Sequence, residues 1–168
     1  MPLNLGRIYD EHASSLFAYL FNLTRSETET RDILQEVFLK LAHRPQTLDG
    51  VREERAWLIR LAHHLCVDGY RRRTAQQRLA ERAGDAAEQI FEPTDESDEA
   101  SFRRALSDAM RELPVDQREV VHLKLWEEMT FGEIAEALGL SINTAASRYR
   151  YGIDKLRDAL RPLYEEVQ

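Results

Sequence analysis

The chain has 168 residues, a formal net charge of −7, 43% hydrophobic and 32% charged residues. That is enough apolar mass for one packed domain or two small ones, in a soluble protein. No apolar run approaches the roughly 20 residues that cross a bilayer, and the start "MPLNLGRIYDEH" lacks a basic segment followed by an apolar one, so neither a membrane span nor a secretory signal is expected. The single cysteine, Cys66, rules out an internal disulfide and points to the reducing cytoplasm.

Apolar spacing is helical throughout, with no alternating run of useful length, so the predicted fold is all-α. Leu16, Phe17, Leu20 and Leu23 predict a helix over 15–23. Ile33, Leu34, Val37, Phe38 and Leu41 predict a second. Ser26 and Glu29 are spaced as its capping box, and Pro45 ends it by keeping Arg44 out of the helical region. A third helix is expected from near Arg52, through Trp57, Leu58, Leu61 and Leu65, to about Arg82. Residues 83–101 hold seven acids and no Lys or Arg, with Gly84 and Pro93 among them, and read as an acidic linker between helical units over 1–82 and 102–168. Basic residues concentrate on either side of it: 50–82 carries eight Arg against four acids, and 142–161 carries five basic residues against two. Charge placement of this kind says more about partners than the negative total does.

In the second unit, Phe102, Leu106, Met110 and Leu113 share one face of a helix that stops before Pro114, and "VDQREVVHLKLWEEM" forms the next. Thr130 and Glu133 match a capping box, Gly139 suits a left-handed helix end, and Ser141 can cap a long helix with Ala145, Ile153, Leu156 and Leu160 inward. A short helix, a tight turn and a second helix rich in Asn, Thr, Ser, Arg and Tyr make a helix-turn-helix. Its second helix enters a DNA major groove with its N-terminal residues toward the base edges. The candidates there are Ser141, Asn143, Thr144, Ala145, Ser147 and Arg148 for bases and phosphates; Arg150, Tyr151 and Lys155 lie further along, toward the phosphates.

The stretch "LAHHLCVDGYRRR" at 61–73 gathers two His, Cys66 and Asp68 ahead of three Arg. At about 100° per residue, His64 and Asp68 share one face of a helix while His63 and Cys66 lie on another, so the four do not converge on one metal ion. The same wheel separates a core stripe of Leu58, Leu61, Ala62 and Leu65 from a second stripe of Trp57, Arg60, His64, Val67, Asp68 and Arg71. An aromatic with arginines and polar groups suits unpaired bases and their backbone.

Taken together, "DILQEVFLKLA", "RAWLIRLAHHLCVDGYRRR" and "LPVDQREVVHLKLWEEMTFGEIAEALGLSINTAASRYRYGIDKLR" resemble bacterial sigma factors of the extracytoplasmic-function type, over roughly 8–75 and 102–161. The resemblance implies a transcription initiation factor that binds core RNA polymerase and promoter DNA, with an anti-sigma factor as a further partner. It implies that Asp32, Gln35, Glu36, Phe38 and Leu39 grip the clamp helices of the polymerase β′ subunit. Trp57, Arg60, His64, Asp68, Arg71, Arg72 and Arg73 would bind and melt the minus-ten element. Ser141, Asn143, Thr144, Ser147, Arg148, Arg150 and Tyr151 would read the minus-thirty-five element, with the outer helices of that unit touching the β flap. At His64 the family more often has Asn, at Ala146 Lys, and at Val67 a polar group; these departures bear on promoter preference rather than fold. The acidic linker is expected to occupy the polymerase RNA exit path or to discourage DNA binding by the free protein.

No phosphate-binding loop, H-E-x-x-H or G-x-S-x-G pattern is present, and neither enzymatic activity nor a cofactor or metal is expected. A stand-alone repressor would need a dimer helix that the sequence does not show. A decoy that binds only an anti-sigma protein would be expected to lose Trp57, Arg60 and Arg71–Arg73, which are all present.

Overall fold

In the computed structural model, residues 2–80 and 97–165 are described, with the side chains of all but 76–80 among them. The described residues form seven α-helices and one short 3-10 helix, as the all-α expectation requires. The chain divides into two units, Met1–Gln89 and Ile90–Gln168. Residues 83–96 of the expected linker lie outside the described residues.

In the first unit α1 spans Leu5–Thr24, α2 Glu27–His43 and α3 Glu54–Ala80, with a 3-10 turn at Pro45–Leu48. The three helices pack on one another around Ile8, Leu16, Tyr19, Leu20, Val37, Leu41, Leu58 and Ile59. α1 begins well before the expected Ser15, because Asn4 Oδ1 accepts the Arg7 N–H at 3.0 Å and caps it. Its inward face also includes His12, whose Nε2 lies 2.8 Å from Glu54 Oε1. A polar partner there replaces the apolar residue on which the period count relies.

Ser26 caps α2 by accepting the Glu29 N–H at 3.3 Å. The reciprocal half of the expected box is missing: the Ser26 N–H goes to Thr24 Oγ1 at 3.2 Å. Glu29 turns instead to Arg73 on α3, with which it forms an ion pair. Among the described side chains of α3, the buried ones are Leu58, Ile59, Ala62 and Leu65. Its core stripe is therefore rotated by roughly 50° from the expected one on a helical wheel, taking in Ile59 and leaving Leu61 half-buried at the edge.

In the second unit α4 spans Asp98–Glu112, α5 Val115–Leu125, α6 Phe131–Leu138 and α7 Ile142–Glu165. Ser97 caps α4 through the Ala100 N–H at 3.2 Å, so this helix starts inside the segment expected to be linker, and Phe102 lies at its exposed end rather than in the core. α5 ends at Leu125 instead of continuing to Met129. Glu128 adopts φ +53° and the Met129 N–H returns to Leu123 O at 3.1 Å, which turns Met129 inward to 1% exposure.

The core of α4, α5 and α7 is built on Met110, Leu113, Val121, Leu156 and Leu160. α5 and α7 cross at Gly152, where a Cβ would lie 2.6 Å from Val121 Cγ2. α6 carries the full capping box: Glu133 N–H donates to Thr130 Oγ1 at 3.1 Å, and Thr130 N–H donates to Glu133 Oε2 at 2.8 Å. Gly139 ends α6 at φ +69°, where a side chain would be strained.

Candidate nucleic-acid interface

Three exposed faces emerge from this packing. On α2, burying Ile33, Val37 and Leu41 leaves Asp32, Gln35 and Leu39 exposed and Glu36 half-exposed. Phe38, grouped with them from the sequence, is placed in the core edge instead, its ring 4.9 Å from that of Tyr9. Tyr9 is itself 52% exposed and borders the same face. It lies ahead of residue 15, where the expected first helix began, so the sequence reading did not reach it.

On α3 the rotated core stripe sends Arg60, His64 and Arg71 directly away from the core; all three are exposed, as are Asp68 and Arg72. Trp57 is half-buried. With Leu61 it lines a cleft of about 520 Å³ whose other walls include Glu36, Leu39, His43 and Thr47. The α2 face and the aromatic of α3 thus share one depression. An open apolar cleft beside a cationic helix can receive a flat ring and hold its phosphate backbone at the rim. His63, by contrast, points inward, its Nδ1 3.4 Å from the Tyr19 hydroxyl. Arg73 stands apart from the other arginines: it pairs with Glu29, and its Nε donates to Gly69 O at 3.2 Å.

The N-termini of α1 and α3 are joined by charge. Arg7 Nη2 lies 2.9 Å from Glu54 Oε2 and Arg7 Nη1 2.6 Å from Glu11 Oε2. Hydrogen bonding from Arg7 is the main cause holding the Glu54 carboxyl below its ordinary range, against the opposing effect of burial. Glu11, His12 and Glu54 bring potential ligand atoms within 4.8 Å of one another. The Arg7 guanidinium already occupies both carboxylates, which makes the group an ion-pair cluster fastening two helices.

On α7, Ser141 Oγ accepts the Thr144 N–H at 3.1 Å and lies 2.8 Å from Thr144 Oγ1, so both hydroxyls serve the helix start. The first turn of α7 contains no acid, unlike those of α2 to α6, which leaves its positive end open to phosphate. Asn143, Arg150 and Tyr151 are exposed and Ser147 is half-exposed. Arg148 Nε lies 3.5 Å from Asp116 Oδ2 on α5, and the Arg150 guanidinium lies 5.3 Å from the Tyr151 ring centroid. Ala145 is fully buried and holds the helix down instead of facing DNA. Among the described residues no helix is long and apolar enough to cross a membrane.

Residues 8–76 match the family described as Sigma-70 region 2, and residues 103–156 match Sigma-70, region 4. The chain is 31% identical over 158 residues to the ECF RNA polymerase sigma factor SigL of Mycobacterium tuberculosis strain H37Rv, covering 93% of this chain and 88% of that protein. It is 27% identical over 165 residues to the ECF RNA polymerase sigma factor SigX of Bacillus subtilis strain 168, covering 95% and 85%. Its fold is similar to that of the sigma factor RpoE of Bartonella quintana, solved with the anti-sigma factor NepR, at a TM-score of 0.80 and 18% identity over 93% of this chain and 96% of that one.

Proposed function

The chain belongs to the extracytoplasmic-function group of sigma-70-type RNA polymerase sigma factors, transcription initiation factors that act with core polymerase at promoter DNA, and from that premise we propose how its three exposed faces divide the work. Asp32, Gln35, Glu36 and Leu39 grip the polymerase β′ clamp helices, with Phe38 supporting them from behind. Trp57, Arg60, His64, Asp68, Arg71 and Arg72 take up the minus-ten strand as it leaves the duplex. Asn143, Ser147, Arg150 and Tyr151 contact the minus-thirty-five element, while Ser141 and Thr144 hold the helix start. The outer helices of the second unit touch the β flap.

The observation that carries this assignment is α3: the residues farthest from its core stripe are Arg60, His64 and Arg71, and the cleft at its border holds Trp57. Such a surface captures an unstacked base and its phosphates by binding alone. Promoter opening therefore draws on binding energy and needs no nucleophile or cofactor from this chain. The action is non-enzymatic and cytoplasmic, where the polymerase is. Phosphate contacts release counterions, so both DNA steps weaken steeply as salt rises.

Transcription in vitro with purified core enzyme and a promoter library tests the reading. Promoter-specific initiation is expected. Tight binding to an anti-sigma protein with no initiation would mean a decoy, and operator binding without polymerase would mean a repressor.

A further inference from the structure

Ile142 opens α7 and is 57% exposed, although it is a large β-branched residue. It stands where base edges reach a helix-turn-helix. The polar groups around it are largely committed: Ser141 and Thr144 bond to each other, and Arg148 reaches back to Asp116. Asn143 is the exposed polar side chain left in that first turn. One turn further along the same strip is Ala146, too short to reach a base or to screen Ile142 from one. The first turn thus presents an apolar surface beside a single amide.

In a major groove, the base feature that meets an apolar side chain is the C5-methyl group of thymine. Resting on the assignment of α7 to the minus-thirty-five element, we infer that Ile142 is a specificity-determining residue that packs against a thymine methyl in that element, with Ala146 leaving room for it. Asn143, next to it, hydrogen-bonds a neighbouring base edge. Hydrogen bonding alone would not distinguish thymine from uracil here; the Ile142 contact does.

The test uses the full-length factor with core polymerase and promoters selected from a library randomised over the minus-thirty-five element. Each thymine of the selected element is replaced in turn by deoxyuridine, which deletes only the methyl. One replacement should weaken binding about fourfold, the effect of losing one buried methyl group. Ile142→Ala should weaken binding to the thymine promoter to a similar extent and remove the penalty for uracil at that position. Its unfolding midpoint should match that of the parent, because the side chain is exposed. A selected element without thymine, uniformly neutral uracil replacements, or a uracil penalty that persists in Ile142→Ala would each overturn the inference while leaving α7 as the reading helix. A library that yields no minus-thirty-five preference would overturn that assignment and this inference with it.

Discussion

α3 and α7 both turn a polar face outward, but they are held by different forces. α7 is buried at Ala145, Gly152, Leu156 and Leu160, so packing fixes it along most of its length. Among the described side chains of α3 the last buried one is Leu65, and further along Arg73 ties the helix to α2 through its ion pair with Glu29. A helix that reads intact duplex benefits from a fixed angle, since base contacts depend on register. A helix that receives a strand as it opens can be held more loosely at its distal end. The burial of the two helices thus accords with the DNA states proposed for them.

Core substitutions should break each side of this contrast separately. Ile59→Ala removes a fully buried side chain and should cost the first unit about 2–5 kcal/mol, leaving the second unit's transition in place in a thermal melt. Gly152→Ala should cost the second unit about 1–3 kcal/mol, because the new methyl group meets Val121. Minus-thirty-five discrimination should fall with it, read by competition between promoters.

The Glu29–Arg73 pair is partly exposed and should contribute about 0–1 kcal/mol to stability. Its effect should appear in promoter opening. Arg73→Glu should slow open-complex formation on the polymerase, and adding Glu29→Arg should restore it. A DNA contact by Arg73 would leave the doubly substituted factor defective.

The helix-turn-helix was the part most legible in the sequence, because its signals are local. Thr130 and Glu133 are three residues apart, and Gly139 is a glycine where φ must be positive. The misses share a cause, which is dependence on partners distant in sequence or on backbone turns with no marker residue. Glu29 leaves its box for Arg73, and His12 supports α1 only because Glu54 is there to meet it. α5 ends at Leu125, and the left-handed Glu128 that turns the chain just beyond it is a residue type that gives no warning. Gly152 looks like a weak point in a helix until Val121 is set against it. In the candidate site, the exposed arginines of α3 and the inward Phe38 followed from periodicity, but the pairing of Arg73 with Glu29 did not.

The smallest expected effect is electrostatic. Because Arg7 lowers the folded-state pKa of Glu54, this carboxylate stabilises the first unit above its unfolded pKa and loses that contribution as pH falls through the folded value. Melting of the first unit should therefore decline from about pH 5 downward, and Glu54→Gln should flatten that decline in scanning calorimetry.

The central claim is that α3 opens DNA through its outward stripe while α2 holds the polymerase. Trp57→Ala and Arg60→Ala factors, assayed in parallel for core-enzyme affinity and for open-complex formation by reactivity of unpaired thymines, test it most directly. The account predicts nearly unchanged affinity for core enzyme and a marked loss of open complexes, on the order of tenfold for the loss of one stacked base. Equal losses in both assays would contradict it and make the stripe a structural support.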